Sequence, residues 1–122
     1  MSSYALDHVQ VVGPPGCLVE ARRFYGELLG LPELERPQTM GGESVWFGVG
    51  SQELHVAADE GFVPAARAHP ALRLELQELE ALAARLEQAG VEVSWDERLP
   101  GSRRFYTRDP WGNRLEFLAR GA

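Results

Sequence analysis

The segment DPWGNRLEFL (residues 109–118) combines a tight turn with a strand whose apolar residues face one side and whose acidic residue, Glu116, faces the other. Its core, LEF at 115–117, has a counterpart 61 positions earlier, LHV at 54–56. The same offset relates His69 to His8. The order and spacing of these pieces predict a chain made of two similar halves, an old duplication with little remaining identity.

Both halves show the same order of elements. The first gives a strand over 5–12, a helix over 18–29 that ends at Gly30, and strands at 32–36, 44–49 and 53–57. The second gives a strand over 69–76, a helix over 79–88 that ends at Gly90, and strands at 91–95, 103–108 and 113–119. The pattern predicts an α+β fold with two βαβββ modules, at about 4–58 and 69–119, in a single domain of 1–122.

The composition excludes several classes of function. A chain of 122 residues with a net charge of −6 suits one small domain and argues against a nucleic-acid surface. No apolar run reaches membrane-spanning length, and the start, MSSY (1–4), lacks the features of a signal peptide. All 12 basic residues are arginines, which excludes Schiff-base chemistry on a lysine. The lone Cys17 cannot form an internal disulfide, so a cytoplasmic location is expected.

Four side chains of metal-ligand type fall at matched positions of the two halves: His8, His55, His69 and Glu116. Each lies on the strand face opposite the apolar residues. A histidine on a polar face is by itself usually a surface or hydrogen-bonded residue, but these are the only 3 histidines in the chain. Two halves related by a two-fold rotation would bring the four groups to one centre. The sequence therefore predicts a site for one divalent metal ion.

These pieces resemble the vicinal oxygen chelate superfamily, which includes glyoxalase I, fosfomycin-resistance transferases, extradiol dioxygenases and bleomycin-binding proteins. The matching segments are LDHV (6–9), FY (24–25) with LGL (29–31), HPAL (69–72) and DPWGNRLE (109–116). They follow the family's order across nearly the whole chain. The resemblance implies two βαβββ modules whose sheets curl into a cup, with the helices on the outer face.

The resemblance also implies roles for the four side chains. His8, His69 and Glu116 match ligands of the first, fifth and last strands. His55 stands where the fourth strand supplies a further ligand or a catalytic base, a position at which glyoxalase I usually has glutamate. Imidazole is a good ligand for Zn, Ni, Fe or Co, and Mn is a further candidate.

The implied function is a metal-dependent lyase, isomerase or epimerase of glyoxalase type. It would act on a small carbonyl or vicinal-oxygen substrate through a metal-stabilised enediolate. Glu116, the one carboxylate of the four, is the natural proton carrier, with His55 as a second catalytic candidate. The alternative is a non-catalytic protein that sequesters an antibiotic or other small molecule. A ring-cleaving dioxygenase is disfavoured, because such enzymes usually carry more modules than this chain holds.

Further residues are candidates for substrate contact, and each has a structural alternative. Tyr106 and Arg104 share the inward face of one strand, which could equally be a solvated face. Arg73 could face the cup or pair with a surface carboxylate. Phe47 and Trp111, like Trp46, could line the pocket or pack in the core, and packing is favoured. Relatives of this size commonly pair modules between chains, so a two-fold symmetric homodimer is expected.

Overall fold

The computed structural model describes residues 3–121 and divides into two compact units after Val63. Met1, Ser2 and Ala122 lie outside the described residues. The start of the chain, from which the lack of a signal peptide was predicted, therefore falls partly outside them. Within 3–121 no helix is both long enough and apolar enough to cross a membrane.

The first unit is a mixed four-stranded sheet with one helix. Its elements are β1 (His8–Gly13), α1 (Leu18–Ala21), a π-helix (Arg22–Leu28), β2 (Glu33–Leu34), a 3-10 turn (Gln38–Met40), β3 (Ser44–Val49) and β4 (Gln52–Ala58). The strand order is β1-β4-β3-β2, with β1 parallel to β4 and the other pairs antiparallel.

The second unit repeats this arrangement. Its elements are β5 (Ala71–Arg73), α2 (Leu76–Gln88), β6 (Ser94–Asp96), β7 (Ser102–Arg108) and β8 (Arg114–Arg120). The strand order is β5-β8-β7-β6, again with one parallel pair, β5 and β8. The prediction of an α+β fold made of two βαβββ modules is confirmed.

In each unit the helix covers one face of the sheet. In the first, Tyr25 packs on Phe47, with ring centroids 6.0 Å apart, and both side chains are fully buried. In the second, Phe105 and Phe117 stack at 5.4 Å beneath the apolar stripe of α2. Because side chains alternate along a strand, the neighbours of these core residues, such as Glu116, face the opposite side of their sheet.

Four strands are shorter than the sequence predicted. β2 is Glu33–Leu34 instead of 32–36, and β6 is Ser94–Asp96 instead of 91–95. β1 begins at His8 instead of residue 5, and β5 is confined to Ala71–Arg73 because α2 already begins at Leu76. Leu76 fits both periods: it continues the alternation of Leu72 and Leu74, and it also precedes Leu79 by three residues. The segment is helical from Leu76, because helical spacing places Leu79 and the buried residues that follow it on one face, towards the core.

The predicted helix over 18–29 is a single helix whose second part is π-helical. The Leu29 N–H donates to the Phe24 carbonyl at 2.9 Å, a five-residue step. The helix ends at Gly30, whose φ of +81° lies in the left-handed region that glycine tolerates best. Sequence periodicity could not separate this π-helical stretch from ordinary α-helix.

Candidate functional site

In the first unit, His55 lies between two aromatic rings. Strand register places His55 beside Trp46 of β3, and the two rings stack at 4.1 Å with an angle of 3° between their planes. His8 stacks on His55 at 4.3 Å. His55 is buried while the His8 side chain is 45% exposed, and the stack runs across the sheet from β3 through β4 to the edge strand β1.

In both His8 and His55, one ring nitrogen lies within hydrogen-bonding distance of a carboxylate. Asp7 Oδ2 lies 2.8 Å from His8 Nδ1, and Glu53 Oε1 lies 2.8 Å from His55 Nε2. A carboxylate favours a hydrogen on the nitrogen it faces, which leaves His8 Nε2 and His55 Nδ1 with lone pairs. This is the arrangement in which a histidine is oriented to bind a metal ion.

In the second unit, His69 and Glu116 form a direct pair. His69 Nε2 lies 3.0 Å from Glu116 Oε1, while His69 Nδ1 lies 2.8 Å from the carbonyl oxygen of Arg67. A carbonyl only accepts, so Nδ1 must carry a hydrogen. A neutral ring therefore turns a bare lone pair at Nε2 towards a carboxylate oxygen. Two acceptors at this distance call for a cation between them, either a proton or a metal ion.

Arg104 neutralises the other side of Glu116. Its Nη1 donates to Glu116 Oε2 at 3.2 Å, and its Nη2 donates to Asp96 Oδ1 at 3.3 Å. Burial works to lower the pKa of Arg104, but the hydrogen bond to Glu116 and its other contacts outweigh this and raise the pKa above the usual value. Arg104 is thus a fully charged partner of Glu116.

The ion pairs continue outward through Asp96 to Arg98. Hydrogen bonds from the Arg98 guanidinium and backbone N–H hold the pKa of Asp96 well below its usual range, and Arg104 adds to the effect. The Arg98 side chain is 77% exposed, so the chain of alternating charges runs from buried Glu116 to solvent.

Tyr106 lies beside the His69–Glu116 pair. It is the register partner of Glu116 on β7, and its ring meets His69 edge-on at 5.4 Å. Two guanidinium groups lie over the Tyr106 ring, that of Arg114 at 4.1 Å and that of Arg104 at 5.3 Å. A cavity of about 570 Å³ opens next to this ring; it is lined by Ala66, Val91, Glu92, Ser94, Tyr106, Thr107, Arg108 and Arg114.

Other predicted contact residues lie elsewhere. Phe47 has no exposed surface and packs in the core, the alternative that the sequence favoured. The backbone N–H of Trp111 donates to Asp109 Oδ1 within the turn that precedes β8. Arg73 is exposed on edge strand β5.

The structure thus brings the four predicted metal ligands together as two pairs, His8 with His55 and His69 with Glu116, one in each unit. Within residues 3–121, no group of three or more His, Cys, Asp or Glu side chains is arranged to hold a metal ion.

The sequence alone did not reveal several partners of these residues. The stack of Trp46 on His55 depends on the β3–β4 register, and the Asp96–Arg104 ion pair depends on the β6–β7 register. Arg114 appeared in the sequence only as part of the segment DPWGNRLE (109–116). Nothing in its spacing indicated that it would lie over Tyr106.

Residues 6–117 match the model of the Glyoxalase/Bleomycin resistance protein/Dioxygenase superfamily. The chain belongs to this superfamily. No curated protein is significantly similar to it.

Solved structures agree with this assignment. A glyoxalase family protein from Bacillus anthracis is 41% identical over 98% of this chain and 99% of its own, with a TM-score of 0.91. The lactoylglutathione lyase of Agrobacterium tumefaciens is 24% identical over 94% of this chain and 92% of its own, with a TM-score of 0.73. A mutant of the fosfomycin resistance protein FosX from Listeria monocytogenes, complexed with Mn(II) and 1S,2S-dihydroxypropylphosphonic acid, is 18% identical over 98% and 94%, with a TM-score of 0.80. The last two show the fold alone.

Proposed function

We propose that the protein is a metal-dependent enzyme of glyoxalase type that acts on a small carbonyl or vicinal-oxygen substrate. His8, His55, His69 and Glu116 would supply the ligands of one divalent metal ion. When bound, such an ion would polarise an oxygen atom of the substrate and stabilise negative charge that develops on it. Lyase, isomerase or epimerase chemistry fits this role, because each moves a proton next to a carbonyl.

The contact between His69 Nε2 and Glu116 Oε1 carries this proposal. Both atoms are acceptors once His69 Nδ1 donates to the Arg67 carbonyl, and a divalent ion satisfies both at once. In the other unit, Asp7 and Glu53 each occupy one ring nitrogen of a histidine and leave the second as a donor atom for a metal. Nitrogen and carboxylate oxygen are ligands that suit Zn, Ni, Fe, Co and Mn.

The protein's own residues would prepare Glu116 for proton transfer. Arg104 fixes Oε2, so the carboxylate cannot rotate freely, and Oε1 is the oxygen directed at His69. Glu116 is also buried, which keeps bulk water from competing for the proton that it would hold. His55, whose faces are covered by Trp46 and His8, is less mobile and is better placed to orient than to shuttle a proton.

Metal binding tests the proposal directly. Untagged protein, freed of metal by a chelator, is titrated with Zn²⁺, Ni²⁺, Co²⁺ and Mn²⁺ by calorimetry, with elemental analysis of the reloaded protein. One ion per chain is expected for at least one metal. His8→Ala and His69→Ala, which remove a ligand from each unit, should each weaken binding roughly 10–100-fold or more. Glu80→Gln, a change on the exposed side of α2, serves as the matched control and should bind as the unaltered protein does.

Full metal affinity in both histidine variants would refute the ligand set. A protein that binds none of these ions but still binds a small molecule at Tyr106 would favour the non-catalytic alternative, a sequestering protein, over the enzyme.

A further inference from the structure

Arg108 and Arg114 form an unusual pair at the end of the β7–β8 hairpin. They are direct register partners, so their side chains start from neighbouring positions on the same face of the sheet. Like charges directly opposite one another across two strands destabilise a sheet unless something compensates them. The chain as a whole carries a net charge of −6, so carboxylates are abundant elsewhere.

In the described part of the chain, no carboxylate forms an ion pair with either arginine; Glu92, which lines the same cavity, is exposed. Among residues 3–121, no Asp or Glu oxygen lies within 4 Å of either guanidinium group in an ion pair. The neighbouring carboxylate of Asp109 is committed to the turn: it accepts hydrogen bonds from the N–H groups of Trp111 and Asn113 and from the Asn113 amide. The two positive charges thus remain available to a ligand.

Both guanidinium groups are held in place. Arg108 Nη1 donates to the Gly112 carbonyl at 3.0 Å, and the Arg114 guanidinium carbon lies over the Tyr106 ring, 4.1 Å from its centroid. Each guanidinium has five N–H donors, so most of the donors of both groups stay free. Fixed, planar donor sets of this kind match the two oxygens of a carboxylate, phosphate or phosphonate group.

The pair also lines the cavity of about 570 Å³ beside Tyr106, a size that suits a small molecule. Tyr106 connects the two places, because its ring lies under the Arg114 guanidinium at 4.1 Å and also makes a T-shaped contact with the His69 ring at 5.4 Å. A ligand with an oxyanion at the arginine pair would extend along Tyr106 towards the His69–Glu116 pair.

We infer that Arg108 and Arg114 form an oxyanion-binding subsite and that the substrate is therefore anionic, with a carboxylate, phosphate or phosphonate group. The binding of the anion stands on the arginine pair itself. Its assignment to the substrate rests on the proposed function.

Titration of metal-free protein with inorganic phosphate, methylphosphonate and acetate, at constant ionic strength, tests the subsite. The NMR signals of the Arg Nε–H groups report on each guanidinium. Saturable shifts are expected at Arg108 and Arg114, and the anion that binds most tightly identifies the preferred group. Arg114→Gln and Arg108→Gln should each weaken binding about tenfold or more, whereas Arg120→Gln, at the exposed far end of β8, should have no effect.

The lysine variants separate recognition from net charge. Arg108→Lys and Arg114→Lys keep the charge but lose the planar fork, so they should also weaken binding. Unchanged affinity in the glutamine variants, or shifts that spread equally over Arg120, would overturn the subsite. Metal titration of the same samples keeps the two proposals apart, because a protein that binds phosphate but no metal would overturn the proposed function and leave the oxyanion subsite intact.

Discussion

The Glu116 carboxylate divides its two oxygens between partners of different character. One faces the lone pair of His69, and the other accepts a hydrogen bond from Arg104. A carboxylate in this position can act as a metal ligand, as a proton carrier or as both in turn, and substitution by the amide separates these roles.

In Glu116→Gln the amide oxygen can still ligate weakly, but the side chain can no longer take up a proton. We expect turnover to fall by roughly 10²–10⁴-fold, the usual contribution of general acid–base catalysis, while substrate affinity changes much less. Turnover is measured on a panel of small carbonyl compounds, with metal content determined for each sample. His55→Gln is the comparison and should lose less, because it leaves the carboxylate in place. Full activity in metal-loaded Glu116→Gln would assign the proton transfer to another group.

Asp96 should make its own contribution to acid stability. Its pKa in the folded protein lies below the usual value, because Arg98 and then Arg104 donate hydrogen bonds to the carboxylate. Such a group stabilises the fold above the pKa of the unfolded chain, about 4, and this stabilisation is lost as the pH falls towards the lower folded value. Asp96→Asn should therefore be less stable than the unaltered protein at neutral pH, and the difference should shrink below pH 4.

Urea unfolding midpoints measured between pH 2 and 7 check this prediction. Glu97→Gln is the matched control, since Glu97 is the exposed neighbour of Asp96 in the chain. A constant difference between the Asp96→Asn variant and the unaltered protein across this range would contradict the assigned role.

At the scale of single elements, the helix of the first unit offers a matched pair of glycines. Gly30 has a φ of +81° and ends the helix, whereas Gly26 lies inside the π-helical stretch with an ordinary φ. A Cβ at position 30 would meet no atom within 4 Å, so any penalty there comes from the backbone alone. A Cβ at position 26 would lie 3.4 Å from Phe47 Cε1, an ordinary contact distance.

Gly30→Ala should lower the free energy of unfolding by about 1–2 kcal/mol, the cost of the left-handed conformation for a residue with a Cβ. Gly26→Ala should raise it, by up to about 1 kcal/mol, because alanine restricts the unfolded chain and favours the helix. Both values follow from chemical denaturation monitored by circular dichroism. Destabilisation of equal size in the two variants would show that packing at Phe47 outweighs the backbone effect.

The elements also show how far the sequence could predict the structure. Strand β3 was predicted with its observed bounds. The helix end at Gly30 was also predicted, because glycine readily adopts the left-handed conformation that ends many helices. The start of α2 was predicted at residue 79 instead of Leu76, because leucines at 72, 74, 76 and 79 satisfy strand and helix periods in turn. The π-helix could not be predicted, because in so short a segment its extra residue per turn gives nearly the same spacing of apolar residues as an α-helix.

The residue types of the candidate site could be identified from the sequence, but the side chains that contact them could not. The four candidate ligand positions were identified from a repeat that is visible in the sequence. The environment of each one depends on which strands lie side by side: Trp46 reaches His55 and Arg104 reaches Glu116 only across strand pairs. Whether the two pairs of ligands bind one ion stays a prediction, to be tested by metal titration.

At the scale of the whole molecule, each four-stranded sheet ends in two edge strands, and β1 is an edge strand of the first sheet. Such edges are commonly paired or covered in native proteins, and closed two-fold dimers are the commonest assemblies. We therefore expect a homodimer. Light scattering coupled to size-exclusion chromatography at micromolar concentration should give about twice the chain mass of 13.5 kDa. A monomer under these conditions would refute the homodimer, without bearing on the fold of either unit.

The parallel strand pairs have a consequence for the order of folding events. In each unit the first strand pairs with the last, His8 with Glu53 and Ala71 with Glu116, and both pairs are 45 residues apart. Neither sheet can be completed until its final strand has been synthesised, and closing so long a loop costs entropy before the paired strands compensate it. During translation the first half becomes complete at Ala58, while the second half has still to be made. In hydrogen-exchange experiments the amides of β1 and β4 should therefore open together as one cooperative unit, and those of β5 and β8 as another.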